Sequence, residues 1–340
     1  MLITTRGLLV AITVTCVASA AQSQPAAEFY KGRQLRLITG HQVGNDYDVG
    51  ARLLAKHLPK HLPGQPTIIV QNMVAAASVV AANYIYAQAP KDGSVIGTFS
   101  RNIPSQKLMG QANVEADPRR FNWLGATSYP GRICTVWHTA PVKTPEELFT
   151  RELIVGGAGA GSSTSILPTV FNHVLGTKFR VVEGYKGTQD IMIAVERGEV
   201  HGVCASFGQF RTYDKLIADG KLRILFQGEE TPMPEIASVP SIYKYATRDD
   251  QRQFMRFVFS SSEFGRPYVL PPDVPADRVA LMREAVAATV KDPALQAEAE
   301  KMKLDMSFRG PEALEQLVAK LYETPPDVIE AAKKLVPNMQ

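Results

Sequence analysis

The sequence is poor in the features that mark several large classes of protein. Its 340 residues include three cysteines and 8% aromatic residues, and the formal net charge is only +4. The basic residues form no cluster interleaved with aromatic side chains, which is the usual mark of a nucleic-acid interface. After the N-terminal segment, no apolar run is long enough to cross a bilayer. The composition, 45% apolar, is that of a globular chain long enough for two domains.

The spacing patterns of common catalytic and metal sites are also missing. There is no Gly-x-Ser-x-Gly nucleophile elbow, and no glycine-rich loop ends in the Gly-Lys-Ser/Thr of a phosphate-binding P-loop. Only His57 and His61 have metal-ligand spacing, but Pro59 between them disturbs the helix that would align them. We therefore predict no catalytic residue, no metal site and no cofactor.

The N-terminus has the pattern of an export signal. Residues 8–18 are apolar and follow a basic residue, and Ala18-Ser19-Ala20 fits a small-x-small cleavage site. We expect a signal peptide over residues 1–20, cleavage near Ala20 and an exported protein.

Two cysteines would remain after cleavage, Cys134 and Cys204. Cysteines in an oxidising compartment can pair. Both lie in apolar strand-like runs, however, where buried free thiols are also common. The sequence leaves the pairing open.

Residues 35–61 predict a strand, a polar loop and a helix. Apolar residues recur after Asp48 with the spacing of one helix face, and Asp48 is a good helix N-cap. A loop that leads from a strand into a helix is a usual ligand position in α/β proteins, because free N–H groups point outward there. A connection without a ligand is the alternative. The carboxylate pair Asp46 and Asp48 favours acid/base catalysis only weakly.

The next segments extend this unit. Strands predicted at residues 67–71 and 94–98 alternate with helices, which indicates a parallel sheet with right-handed crossovers. Ser100 and Arg101 follow the third strand, so they lie at the same sheet edge as the first loop. Arg101 is a candidate partner for a ligand carboxylate; a surface ion pair is the alternative.

A second strand–loop–helix unit covers residues 153–175. We interpret its glycine-rich loop as an anion cradle, in which N–H groups at a helix start are joined by the hydroxyls of Ser162, Ser163 and Thr164. A tight packing turn is the alternative. The glycine spacing, with Glu183 downstream, is also a weak match to a dinucleotide fingerprint.

The remaining elements suggest two α/β lobes with a cleft between them. Residues 254–259 and 268–270 are predicted as extended chain that returns to the first lobe. Apolar stripes in residues 279–290 and 314–321 predict C-terminal helices that cover the first sheet.

Several short motifs also occur in an order and spacing typical of one family. They are residues 29–32, 47–48, 51–55, 70–73, 82–84, 90–93 (Pro-Lys-Asp-Gly), 97–101, 159–163, 184–187 (Gly-Tyr-x-Gly) and 196–200. In these motifs the chain resembles the periplasmic substrate-binding proteins of tripartite tricarboxylate transporters, also called Bug receptors.

The resemblance implies a two-lobed α/β periplasmic-binding-protein (venus flytrap) fold with a ligand cleft between the lobes. Lobe 1 would comprise residues 28–125 and 260–340, and lobe 2 residues 126–259. The protein would be a periplasmic monomer that captures a small organic acid and delivers it to membrane permease subunits. No catalysis, cofactor or nucleic acid is implied. The ligand-binding residues carried over are Gly44, Asn45, Asp46, Tyr47, Asp48, Ser100, Arg101, Gly159, Gly161, Ser162, Ser163, Thr164 and Tyr185.

Three departures from the family pattern concern the ligand. The first loop has Gly44-Asn45-Asp46 where the family has three glycines, residues 74–77 replace a Pro-Gly-Ala-Gly loop, and Ser165 replaces a common histidine. A carboxylate at Asp46 beside the cleft would favour a ligand with fewer negative charges than a tricarboxylate. Alternatively, Asn and Asp only preserve the turn. A periplasmic enzyme or a ligand sensor with the same cleft is the alternative function.

Overall fold

The structure is a computed structural model that describes residues 25–128, 131–159 and 162–335. The predicted signal peptide and Gly161 lie outside these ranges. No helix within the described ranges is long and apolar enough to span a membrane.

The described strands form two separate β-sheets. The strands are β1 (Gln34–Thr39), β2 (Thr67–Asn72), β3 (Val95–Thr98), β4 (Asn122–Thr127), β5 (Arg132–Trp137), β6 (Leu153–Gly157), β7 (Phe179–Glu183), β8 (Gly202–Ser206), β9 (Leu222–Gln227), β10 (Arg266–Leu270) and β11 (Phe308–Arg309).

Helices cover both sheets. They are α1 (Ala26–Tyr30), α2 (Asp46–His57), α3 (Val79–Asn83), α4 (Ile103–Leu108), α5 (Ser163–Leu175), α6 (Thr188–Glu196), α7 (Asp214–Ala218), α8 (Asp249–Glu263), α9 (Ala276–Lys291), α10 (Pro293–Lys301), α11 (Pro311–Tyr322) and α12 (Pro326–Leu335).

The first sheet has the order β11-β4-β10-β3-β1-β2. Strands β2, β1 and β3 run parallel, which confirms the predicted β-α-β-α-β unit, and β10 returns antiparallel between β3 and β4. The C-terminal helices α9 and α11 pack against β4, so they cover this sheet as the apolar stripes predicted. Leu35 and Leu37 of β1 are fully buried, in one hydrophobic cluster with Val279, Met282 and Val286 of α9.

The second sheet has the order β7-β6-β8-β5-β9. Its parallel part, β7-β6-β8, places the carboxyl ends of three strands at one edge, where the second glycine-rich loop begins. Antiparallel pairing of β5 with β8 sets Cys134 directly opposite Cys204, and the two cysteines form a disulfide. The question that the sequence left open is thereby answered in favour of pairing.

The prediction of extended chain over residues 254–259 is wrong. These residues lie in the middle of the helix α8 (Asp249–Glu263), which buries Phe254, Phe257 and Val258. Their spacing of three and four residues is that of a helix face, and Asp249 and Asp250 suit the positive end of the helix dipole. The aromatic and β-branched residues favoured a strand by propensity, which tertiary packing overrides here.

The chain passes from the first sheet to the second after β4 and returns to the first sheet after α8. Gly265 lies in the second crossing with a φ of +55°, and a Cβ added there would approach the Ser128 carbonyl oxygen of the first crossing to 2.5 Å. Only glycine combines this backbone conformation with such a close approach. The result is the predicted two-lobed α/β fold, with a cleft bordered by the crossings.

Candidate functional site

Helix α2 begins three residues earlier than the sequence suggested. The helix begins at Asp46, and its N-cap is Asn45, whose side chain accepts a hydrogen bond from the Tyr47 N–H. The expected cap, Asp48, is instead the third residue of the helix. Gly44 has a φ of +83°, a left-handed turn that glycine adopts without strain. The Asp46 side chain is exposed on the first helical turn.

Asp48 joins three parts of the first lobe. Its carboxylate is only 1% exposed and accepts two hydrogen bonds of 2.9 Å from Arg52, one of 2.9 Å from the Gly44 N–H and one of 2.7 Å from Asn72. Burial opposes ionisation, but these hydrogen bonds outweigh it and lower the pKa of Asp48 below its ordinary value. Asp48 therefore anchors the loop, the helix and strand β2 to one another.

Tyr47 links the first loop to the crossing between the lobes. Its hydroxyl donates to the Gly265 carbonyl oxygen and accepts from the Arg101 N–H, both at 3.3 Å. The ring stacks on His41, with the ring centroids 3.9 Å apart. Burial raises the pKa of Tyr47. Tyr47 and Arg101 thus bring the first loop into contact with the segment after β3, as the sequence predicted.

The altered loop that precedes α3 holds an unusual backbone. Ala76, Ala77 and Ser78 have consecutive positive φ values of 45°, 50° and 75°, a region that L-residues other than Asn and Asp rarely adopt. Contacts with the first loop hold this turn: the Ser78 hydroxyl lies 3.1 Å from both the Gly40 carbonyl oxygen and His41 Nε2. Burial lowers the pKa of His41, which favours the neutral ring.

The second loop forms a hydroxyl cluster at the start of α5. Ser162 is the N-cap, and its hydroxyl lies 2.8 Å from the Gly159 carbonyl oxygen and 2.7 Å from Thr164 Oγ1. Thr164 Oγ1 also accepts from the Ala158 N–H at 2.9 Å. The hydroxyls of Ser162 and Thr164 are therefore used within the loop. Ser163, the first residue of the helix, is exposed.

A cavity of about 200 Å³ lies between the two sheets. It brings together Arg101, from the segment after β3, and Ser163, from the second loop, both of which the sequence selected. Its other lining residues are Asn102, Ser105, Arg132, Ile166, Leu167, Val258, Phe259, Ser261 and Ser262. The sequence analysis missed all nine of these residues. Four of them belong to α8, which was not predicted as a helix.

The cavity contains one arginine available to a ligand. Among the residues that the structure describes, no carboxylate lies within ion-pair distance of Arg101. Arg132, by contrast, is buried and donates to the Phe259 carbonyl oxygen at 2.8 Å, and its guanidinium lies 3.1 Å and 3.4 Å from the carboxylates of Glu229 and Glu263. Arg101 is the better anchor for an anion, because its charge is not already paired.

Tyr185 lies apart from this cavity. Its ring packs against the hydrophobic cluster beneath α6, and its backbone N–H donates to the Gly157 carbonyl oxygen at 3.3 Å. Ser100 accepts from the Asn102 N–H at 3.3 Å and supports the cavity-lining segment. Across the described part of the chain, no group of three His, Cys, Asp or Glu side chains could hold a metal ion.

The hydroxyls of Ser162 and Ser163 should contribute differently. We expect Ser163→Ala to weaken ligand binding by about 1 kcal/mol, since of these two residues only Ser163 lines the cavity, and to leave stability nearly unchanged. Ser162→Ala should instead lower the free energy of unfolding by about 1 kcal/mol, since it removes the hydrogen bonds that join the Ser162 hydroxyl to the Gly159 carbonyl oxygen and to Thr164. Calorimetric titration and urea denaturation of both variants measure the two effects. An equal loss of affinity in both variants would contradict this division.

Comparison with known proteins gives one curated relative and many similar structures. No family model matches the chain. A protein from Cupriavidus necator described as "UPF0065 protein in gbd 5'region" is 25% identical over 244 residues, which cover 70% of this chain and 72% of that protein.

Among solved structures, a TctC solute-binding protein from Polaromonas, without ligand, aligns with a TM-score of 0.66 and 19% identity, covering 91% of this chain and 99% of that one. The alignment with the periplasmic binding protein BugD covers 90% of this chain and 98% of that one, with 19% identity and a TM-score of 0.48. The comparisons confirm the resemblance predicted from the sequence motifs and, through the Polaromonas structure, the two-lobed α/β fold class.

Proposed function

We propose that the chain is a periplasmic solute-binding receptor that captures a small carboxylate-containing molecule between its lobes. It delivers this ligand to the membrane permease subunits of a tripartite transporter. The observation that carries the proposal is the interlobe cavity, in which the unpaired guanidinium of Arg101 is surrounded by hydroxyl and amide groups and by apolar side chains. Arg132, the other cation in the lining, is already paired with Glu229 and Glu263, so Arg101 is the cation left to bind an organic acid.

The division of the chain supports a closing receptor. Residues 28–125 and 260–340 would form lobe 1 and residues 126–259 lobe 2, with Arg101 on the first and Ser163 on the second. A ligand held by both lobes binds more tightly to a closed form than to an open one, so binding favours closure. The protein acts as a monomer, is exported with loss of residues 1–20, and uses no cofactor and no catalytic residue.

An enzyme is the second candidate, because Ser78 and His41 form a contact of 3.1 Å, in a pocket beside the first loop rather than in the interlobe cavity. A serine in a left-handed turn beside a histidine has the outline of a nucleophile with its base. The Ser78 side chain, however, is only 1% exposed and also lies 3.1 Å from the Gly40 carbonyl oxygen. This placement suits a clamp between two loops better than a nucleophile, which a substrate must reach.

A thermal-shift screen with mono-, di- and tricarboxylates, followed by turnover assays of the hits, tests the proposal. An acid present at 100 times its Kd should stabilise the protein by about 2.7 kcal/mol, a shift of several degrees in Tm. The acids that raise Tm should be recovered unchanged after prolonged incubation. Conversion of a hit into a product would favour an enzyme. If no acid of the panel raises Tm, carboxylates are excluded as the ligand class.

A further inference from the structure

The anion cradle predicted at the start of α5 is already in use. Glu183, the last residue of β7, places its Oε2 atom 2.8 Å from the Gly159 nitrogen and 3.0 Å from the Ser165 hydroxyl, and both groups donate to it. A Cβ added at Gly157 would come within 2.5 Å of the same oxygen. Glycine at position 157 therefore leaves room for the carboxylate to lie against the loop.

Hydrogen bonds connect Glu183 to Ser162, the residue that precedes the cavity-lining Ser163. The Ser165 hydroxyl that binds Glu183 lies 3.2 Å from the Ser162 hydroxyl, and Ser162 immediately precedes the cavity-lining Ser163. A negative charge in this position offsets the positive end of the helix. It also repels any second anion that approaches Ser163.

The charges that face a ligand are therefore unequal on the two sides of the cleft. The lobe 1 side offers Arg101, which has no ion pair among the described residues. The lobe 2 side offers Arg132, whose charge is already matched by Glu229 and Glu263, and a loop whose N–H and hydroxyl donors already bind the Glu183 carboxylate. An acid with one carboxylate can place it at Arg101 and turn its other end toward lobe 2. A dicarboxylate of the same length would bring its second charge toward Glu183.

We propose, on the basis of the proposed function, that Glu183 is a specificity-determining residue that selects monocarboxylates with a neutral or cationic far end over dicarboxylates. Its carboxylate takes the place at the α5 loop that a second ligand carboxylate would need. Such a ligand carries a hydroxyl, an amide or an amine opposite its carboxylate. Glu183 thereby acts by charge and need not contact the ligand.

The test uses pairs of acids that have equal chain length and differ only at one end. Succinate is compared with 4-hydroxybutanoate, and adipate with 6-hydroxyhexanoate, by calorimetric titration. In the native protein, whichever pair binds, the hydroxy acid should bind about tenfold more tightly than the diacid. This is the effect of a like charge roughly 12 Å away at an effective dielectric constant of about 20, the value for charges near a protein surface. Glu183→Gln keeps the shape of the side chain and should reduce this ratio to about threefold or less, mainly by improving the diacid.

Glu196→Gln is the matched control, because Glu196 is exposed at the end of α6 in the same lobe and the substitution removes the same charge. It should keep the native ratio. An unchanged ratio in Glu183→Gln, with the native Tm, would show that Glu183 only stabilises the loop. That result would overturn this inference and leave the proposed function unaffected. If none of the four acids binds the native protein, both this inference and the proposal that the ligand is an acid of this class are contradicted. Should Glu183→Gln fold poorly, Glu183→Ala is titrated with the same pairs under the same criteria.

Discussion

Replacing Cys134 and Cys204 together by alanine is expected to lower the free energy of unfolding by about 4 kcal/mol. The disulfide joins residues 70 positions apart and so restricts a long loop of the unfolded chain. Both cysteines are fully or nearly fully buried between β5 and β8, in the centre of the second sheet. Urea denaturation of the native protein and the double variant measures the loss.

A reducing agent provides the control for this prediction. Dithiothreitol, added under conditions that reduce the buried bond, should bring the native protein close to the double variant and should leave the variant unchanged. Equal stability of the two proteins without the reductant would show that the bond adds nothing to the fold.

Asp48→Ala is expected to cost about 3 kcal/mol of unfolding free energy. The substitution removes a buried carboxylate from Arg52, Asn72 and the Gly44 N–H, so several donors lose their acceptor. This value is at the lower end of the range for a broken buried ion pair, because the Arg52 side chain is 46% exposed and water solvates it once Asp48 is removed. Asp46→Ala, two residues earlier in the same helical turn, is the matched control and should change stability by less than about 0.5 kcal/mol.

The pH dependence of stability gives an independent check on Asp48. Its pKa is lowered in the folded protein, so its contribution is fully present above the ordinary aspartate pKa, about 4, and is lost as the pH falls through the folded value. Between neutral pH and that acid range, the native protein should therefore lose more stability than Asp48→Ala. Parallel curves for the two proteins, from urea titrations at each pH, would contradict the role given to Asp48.

The sequence predicted the elements of the fold better than the details of the site. Short strands with clear boundaries, such as β1 and β6, and the stripes of α9 and α11 depend on local patterns of burial, which the sequence displays directly. Helix α8 was missed because its cluster of Phe and Val residues suits either a strand or a buried helix. The choice between the two depends on contacts with both lobes, which are distant in sequence.

The site needed information that one sequence does not contain. The residue types at Arg101 and Ser163 suggested anion binding, and the fold places both in one cavity. Which residue at the start of α5 lines that cavity depends on side-chain directions that one sequence does not display. Ser163 lines it, whereas the hydroxyls of Ser162 and Thr164 bond within the loop. The carboxylate of Glu183 reaches the loop from the neighbouring strand. Such a contact follows from strand register rather than from any local motif.

The most direct test of the receptor is calorimetric titration of the tightest acid from the screen into the native protein, Arg101→Gln and Arg197→Gln. Arg197 is exposed just after α6, away from the cavity, and its substitution removes the same charge. The anchoring role of Arg101 predicts that Arg101→Gln weakens binding by about 10- to 100-fold, the value of a hydrogen-bonded charge, with Arg197→Gln near the native affinity. Native affinity in Arg101→Gln would contradict a carboxylate site between the lobes.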